Sequence, residues 1–411
     1  MRVLLVHPNF PGQYAHLMPA LLARGDVQVA AISARHVEVP AGVTLRVYQA
    51  PAAEPPEARY GRYMMAALKR AELVAGEALA LRRDGFVPDV IACHIGWGDA
   101  IFLKDVFPDA PMLLYGEFFY SVTGADVGFM PGETPTVRTA MRVRAMNAPM
   151  LSAMNAADWG VSPTRWQRDR FPPWFRQRIS LAHEGVDTQT CRPDPQARVT
   201  LPDGSVLKPG DEVVTYVARG LEPYRGFPTF LRALPELLRR RPGARVVVVG
   251  GDEARYGPSP EAGGSWKDQL LREVGALDPA RVIFTGRVPY ATLLNLFRIS
   301  AVHVYLTVPF VLSWSMLEAM ACGALLLASA TPPVQEVITD GRNGLLTDFH
   351  DSAVLCERLV AVLENPGRHA ALRQAARRTI TELYDLRRVC LPRQMDILDA
   401  LAARRAPSTY A

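Results

Sequence analysis

Long apolar runs are missing from this 411-residue chain. The longest, such as Ala324–Ala328, fall far short of the roughly 18–20 residues that cross a bilayer, so no membrane-spanning helix is expected. Met1-Arg2 is followed by only four apolar residues before His7-Pro8-Asn9, too few for the apolar stretch of a secretory leader, and the expected location is the cytoplasm. Cysteine is scarce: Cys93, Cys191, Cys322, Cys356 and Cys390 are odd in number and show no C-x-x-C spacing. That excludes a disulfide scaffold and reads as reduced packing thiols. Lysine is scarcer, four residues against 42 arginines, so the Lys-rich tails of nucleic-acid binders are absent and no nucleic-acid partner is expected. There is no D-x-D and no His/Cys cluster with metal-ligand spacing, so no metal is expected, and no resident cofactor is expected either. The G-x-G-x-x-G fingerprint is missing after the first apolar run, where His7-Pro-Asn-Phe-Pro-Gly-Gln13 stands, which weakens a dinucleotide oxidoreductase reading.

What is present is globular usage, 49% hydrophobic and 21% charged, at a length that suits two or three domains. Short β-rich runs alternate with amphipathic stretches. Strands are predicted at Val3–Val6, Val27–Ile32, Val43–Tyr48, Asp89–Cys93, Met112–Tyr115, Trp159–Val161 and Ile179–Ala182. Between them, helices are predicted at Tyr14–Ala23, Tyr60–Arg83 and Thr136–Asn155. A second series follows at Val213–Val217, Arg245–Val249, Val282–Phe284, Val302–Tyr305 and Ala324–Ala328. The fold class is therefore α/β, with two parallel-sheet domains. Gly185, Asp187, Pro193 and Pro195 interrupt both series and mark the boundary in His183–Pro195. Val199–Leu207, turning at Asp203-Gly204, reads as a surface hairpin, and Leu386–Ala402 as a last helix that leaves the second domain.

Candidate site residues lie at the carboxyl ends of predicted strands, where parallel sheets collect ligands. Arg219 and Arg225 share one loop after Val213–Val217, and two permanently charged guanidiniums suit a pyrophosphate, although solvated loop arginines give the same spacing. Gly12 either lets the backbone approach a phosphate or makes a tight turn. A helix predicted from Ser315 to Gly323 carries Glu318 in its first turn, where it either completes a capping box with Ser315 or accepts the two hydroxyls of a ribose. His94 ends a strand before Gly96 and Gly98, placing it in the core or at an exposed active-site turn. Glu133–Ser180 holds eight arginines against three acids, with Trp166, Phe171, Trp174 and Phe175 among them. Two readings stand for it: an anionic bilayer or charged acceptor is gripped there, or it is a solvated helical face.

Arg219…Arg225, Gly250-Gly251-Asp252, Phe284-Thr-Gly-Arg287, Leu317-Glu-Ala-Met-Ala-Cys-Gly323 and Glu336-Val-Ile-Thr-Asp-Gly-Arg-Asn-Gly-Leu345 occur in an order that resembles the retaining glycosyltransferases of family 4. The resemblance implies the GT-B fold, two Rossmann-like domains across a cleft. Residues 1–187 would form the acceptor side and 188–385 the nucleotide-sugar side, with 386–411 crossing back. It implies transfer of a sugar from a UDP- or GDP-linked donor to an acceptor hydroxyl, with retention and without a metal. The acceptor would be a glycan, a lipid-linked sugar or a small molecule, with peripheral membrane contact as one option. Arg219, Arg225 and His94 would be the catalytic groups. Glu318 would hold the ribose and Gly12 would lie against the diphosphate. The family's first paired glutamate is Phe310 here, so backbone amides of Phe310, Leu312 and Ser313 would take its place. Glu117 and Tyr120, after the strand Met112–Tyr115, would line the acceptor side. A nucleotide-sugar epimerase or phosphorylase, or a non-catalytic binding protein, would share the same scaffold.

Overall fold

The computed structural model describes residues 1–54, 59–254, 256–257, 259–260 and 263–410. Ala411, the end of the expected C-terminal segment, lies outside the described residues. Two compact units result: Met1–Gly185 together with the chain from Leu386 onward, and Val186–Asp385.

In the first unit seven strands pair in parallel in the order β3-β2-β1-β4-β5-β6-β7. They are β1 (Arg2–Val6), β2 (Gln28–Ser33), β3 (Val43–Val47), β4 (Val90–His94), β5 (Met112–Tyr115), β6 (Trp159–Ser162) and β7 (Ile179–Leu181). Helices cover both faces, which is why Val3–Val6 reads as an unbroken apolar run and is fully buried. The predicted helix Tyr14–Ala23 divides into a 3₁₀ turn, Gly12–Tyr14, and a helix, Leu17–Ala23, with Pro19 in the first helical turn where no amide is needed. The last predicted helix begins as a widened turn, Leu386–Cys390, before Leu391–Ala402. Ile397, Leu398 and Leu401 of that helix are buried with Val3, Leu5, Leu17 and Leu21 of the first unit.

In the second unit the order is β12-β11-β10-β13-β14-β15, again all parallel. These strands are β10 (Val213–Gly220), β11 (Arg245–Gly251), β12 (Val282–Gly286), β13 (Val302–Tyr305), β14 (Leu326–Ser329) and β15 (Leu345–Thr347). The short β15 was too brief to be predicted. An irregularity between Val217 and Gly220 carries β10 past its predicted end, so Arg219 sits on the strand end and not in the following loop. The hairpin β8 (Val199–Thr200) and β9 (Val206–Leu207) is more than a surface ornament. Val199, Leu201 and Leu207 are buried in a small core with Val213, Val247 and Leu296.

Both sheets reverse direction once. β1 lies between β2 and β4, and β10 lies between β11 and β13, so at each reversal the outgoing loops diverge and leave a crevice at the carboxyl ends.

Candidate functional site

At the second unit's reversal, Arg219 is exposed and forms no ion pair or side-chain hydrogen bond among the described residues. Arg225 ends a 3₁₀ turn, Pro223–Arg225, and Gly226 then enters the helix Phe227–Arg240 with φ +66°. A Cβ at Gly226 would come within 2.4 Å of the Leu306 side chain, so glycine is demanded there by space as well as by angle. The Arg225 guanidinium donates to Thr307 Oγ1 at 2.9 Å and to the Val311 carbonyl at 3.4 Å, and stands 5.2 Å from the Tyr256 ring centre. Thr307 follows β13 and is held by Ser329 at the end of β14, which accepts its N–H at 3.0 Å and donates to its carbonyl at 3.1 Å. The loops after β10 and β13 are thereby tied together through a cation.

The helix beyond that loop starts at Trp314, one residue earlier than predicted, with Ser313 as its N-cap. Ser315 is inside the helix and Glu318 falls in its second turn, so the predicted capping box does not form. The Ser313 amide donates to the Tyr305 hydroxyl at 2.8 Å, which sets the helix entry and withdraws that amide from the set expected to meet a sugar. Phe310 and Leu312 are buried, Phe310 with its ring 5.4 Å from that of Tyr256, so a packed side chain occupies the position of the missing carboxylate. No side chain caps this helix N-terminus, whose amides favour anions. Glu318 accepts from the Tyr290 hydroxyl at 2.7 Å through Oε1. Burial raises its pKa and this hydrogen bond partly opposes the rise. The other motif glycines and acids shape loops: Asp252 pairs with Lys267, Glu253 with Arg287, and Asp340 accepts the Leu346 amide at 2.7 Å.

At the first unit's reversal, His7 follows β1 and His94 ends β4; both are buried. His7 Nδ1 accepts the Asn9 amide at 2.9 Å and His94 Nδ1 accepts the Gly96 amide at 2.9 Å. An amide donating to Nδ1 leaves a ring proton on Nε2 in each. His94 Nε2 faces Glu117 Oε2 at 3.4 Å, while Glu117 Oε1 accepts from the Gln13 side-chain amide at 3.2 Å. Burial works to raise the Glu117 pKa, but His94, His7 and Gln13 together bring it below its usual range. Burial, then the neighbouring His94, pushes His7 down to about 3, so that ring is neutral at physiological pH. Gly12 has φ +49°, and a Cβ on it would lie 2.6 Å from His7 Cε1 and Nε2; its bareness accommodates the imidazole.

His94, Gly12 and Glu117 are thus gathered in one cluster. Tyr120 is elsewhere: its backbone is clasped by Asn147, which donates to its carbonyl at 2.8 Å and accepts its amide at 3.1 Å, and it lines a separate groove with Val143 and Leu151. Sequence reasoning missed His7 as a site residue, as well as Gln13, Tyr256, Tyr290 and Thr307. His7 alone carried a signal, as the first polar residue after a buried strand. In the Arg-rich segment, Phe171 and Phe175 are core residues, whereas Trp174 is 49% exposed. Arg138, Arg142 and Arg144 are exposed on the helix Val137–Ala156 beside exposed Val137 and Met141. No helix among the described residues is long and apolar enough to cross a membrane.

Two doubly wound sheets of this order, in two units exchanged by a returning C-terminal helix, make the GT-B class of fold. Solved structures agree. Sucrose-phosphate synthase from Thermosynechococcus elongatus aligns with a TM-score of 0.71 at 17% identity over 98% of this chain and 100% of that one. Anabaena HepE in complex with UDP and glucose aligns with 0.66 at 15% identity over 97% and 100%. Residues 25–191 match the family model described as glycosyl transferase family 4 group, and residues 200–379 that of glycosyl transferases group 1. The chain belongs to this family. A GDP-mannose-dependent alpha-(1-6)-phosphatidylinositol monomannoside mannosyltransferase of Mycolicibacterium smegmatis is 30% identical over 268 residues, 62% of this chain and 63% of that protein. A D-inositol 3-phosphate glycosyltransferase of Nocardia farcinica is 30% identical over 190 residues, 46% and 40% of the two chains. The matches span less than two thirds of either relative.

Proposed function

We propose that this protein is a glycosyltransferase that moves a sugar from a UDP- or GDP-linked donor to an acceptor hydroxyl, with retention at the anomeric carbon and without a metal or other cofactor. The observation that carries the reading is the cation pair at the second unit's sheet reversal: Arg225, in the turn after β10, anchored through Thr307, and Arg219, at the end of β10, with no ion pair or side-chain hydrogen bond among the described residues. Fixed guanidiniums stabilise charge that develops on a departing diphosphate and need no reorganisation when the bond breaks. The uncapped helix at Trp314 adds amide dipoles of the same sense. Glu318, with one oxygen held by Tyr290, presents its carboxylate to the ribose hydroxyls. In the first unit, His94 is the group that donates to a sugar hydroxyl. The leaving phosphate oxygen takes the acceptor's proton, so no pair of catalytic carboxylates is required. The names of relatives support this reading, one being GDP-mannose-dependent and one solved neighbour holding UDP and glucose.

The test is incubation with a panel of UDP- and GDP-sugars and candidate acceptors, in chelator and in added divalent cation, read by mass spectrometry. Diphosphate released with a lengthened acceptor of retained configuration is expected in both. An epimerised donor, phosphorolysis or intact donor throughout would replace the reading with that of an epimerase, a phosphorylase or a binding protein.

A further inference from the structure

Cys191 and Cys322, 131 residues apart in sequence, meet in one core cluster of the second unit, both as free thiols. Cys191 closes the turn that opens at Asp187, and Cys322 is the C-cap of the helix Trp314–Ala321 that carries Glu318. Arg377 Nη1 donates to the Cys191 carbonyl at 3.0 Å and also to the Ala321 carbonyl, which clamps the two stretches of backbone side by side. The Cys322 thiol donates to the Cys191 sulfur and favours its thiolate against the effect of burial. Cys191 Sγ lies 3.4 Å from the Tyr290 hydroxyl, whose own proton is committed to Glu318 Oε1 at 2.7 Å, so the sulfur is the donor toward Tyr290. A chain of hydrogen bonds thus runs from Cys322 through Cys191 and Tyr290 to Glu318. Both cysteines are buried, yet Cys322 forms part of the wall of a cavity of about 400 Å³, with Gly323, Pro193 and Arg298 beside it. That cavity lies at the amino ends of β10, β13 and β14, the opposite end of the sheet from Arg219 and Thr307. A small molecule can therefore reach the pair without passing the nucleotide crevice.

We propose that Cys191 and Cys322 are an oxidation site, where hydrogen peroxide entering by this cavity closes a disulfide that withdraws the support behind Glu318. The Cys191 thiolate attacks one peroxide oxygen, the O–O bond breaks, and the departing hydroxide takes up the proton that Cys191 released. The Cys322 sulfur then displaces the sulfenic oxygen, which leaves as a second water with the Cys322 proton, and the S–S bond forms. Two thiols are oxidised by two electrons in all, and one peroxide is reduced to two waters. A disulfide sulfur carries no proton, so Cys191 no longer donates to Tyr290, and its sulfur is drawn away toward Cys322. Tyr290 then holds Glu318 less firmly. The cross-link is independent of the transfer reading; only its effect on the nucleotide rests on it.

The test treats the folded full chain with a small excess of hydrogen peroxide, removes the oxidant with catalase, and blocks the remaining thiols with N-ethylmaleimide in urea. Peptide mass spectrometry should find Cys191 and Cys322 joined and lighter by two hydrogens, with Cys93, Cys356 and Cys390 blocked as thiols. Calorimetry on a parallel unblocked sample should show UDP or GDP affinity lowered about threefold to tenfold, the effect of a lost orienting hydrogen bond, and restored by dithiothreitol. Cys322→Ala should give no cross-link and the same affinity before and after peroxide, which separates the pair from oxidation elsewhere. If that variant fails to fold, Cys191→Ala carries the same control. No joined peptide, cross-links at other cysteines only, or a disulfide form that binds nucleotide as tightly as the reduced protein each overturns the proposal. A reduced protein that binds neither UDP nor GDP would remove the transfer reading, and the joined peptide would still decide the oxidation site.

Discussion

Arg225 reaches across the sheet reversal of the second unit to Thr307, 82 residues away in sequence, and donates to its hydroxyl at 2.9 Å. A long side chain tethered in this way loses its rotamer freedom before a ligand arrives, so less entropy is lost on binding. Arg219, at the end of β10, has no such tether among the described residues.

Removing either cation should cost more than removing the tether. Arg225→Ala and Arg219→Ala each remove a charge-assisted contact on the order of 1.5–3 kcal/mol, at least tenfold in nucleoside diphosphate affinity. Thr307→Val leaves the charge in place and removes the tether, for a smaller loss of about threefold. Calorimetry with UDP and GDP checks all three. Full affinity in both arginine variants would show that the diphosphate is held elsewhere.

Glu318 and Tyr290 define a second prediction. With the capping box absent, Glu318→Gln leaves thermal stability nearly unchanged while weakening the nucleotide. Tyr290→Phe frees the carboxylate oxygen now held at 2.7 Å and lowers nucleotide affinity about threefold to tenfold through lost orientation. Melting curves run beside the titrations separate the two roles: a large drop in melting temperature with binding intact would mean that Glu318 serves the fold.

The sequence discloses the strand ends, because parallel strands buried on both faces leave continuous apolar runs, and His94 and Arg219 stand where those runs stop. It does not disclose Gln13 against Glu117 or Tyr290 against Glu318, since these contacts join elements 104 and 28 residues apart and leave no periodic trace. The capping-box signature at Ser315 misleads for a local reason. The Tyr305 hydroxyl takes the Ser313 amide, the chain bends at Ser313 with φ −81° and ψ 139°, and the helix starts there. Phe171 and Phe175 mislead in the opposite way: arginines beside them in sequence suggest a wet surface, while both rings turn into the core.

The exposed arginines of Val137–Ala156 predict salt-sensitive attachment to anionic membranes. Arg138, Arg142 and Arg144 flank exposed Val137 and Met141, and each basic residue near a charged bilayer contributes about 1 kcal/mol. Flotation with vesicles containing anionic lipid should recover the protein at low salt, and the triple Glu variant at these arginines should stay at the bottom. Equal flotation on neutral vesicles would contradict electrostatic docking.

Asp99 predicts a pH dependence of stability. It is fully buried, accepts from the Tyr48 hydroxyl at 3.3 Å and lies 3.8 Å from Arg70. Burial raises its pKa from 3.8 to about 6, against the pull of Arg70. Between those two values the folded state holds a proton that the unfolded state has released, so stability falls as pH rises through this window. The loss totals about 3 kcal/mol at roughly 1.36 kcal/mol per pKa unit. His7, His183 and His303 act in the other direction: burial lowers them to about 3, 4 and 3, so each costs stability as pH falls below the ordinary histidine range. The total curve therefore mixes opposing slopes, and the difference between the unmodified protein and Asp99→Asn isolates the carboxyl. Urea unfolding of both, from pH 4 to 7, should give a difference that moves by about 3 kcal/mol in favour of the variant as pH rises. A flat difference would mean that Arg70 compensates the buried charge fully.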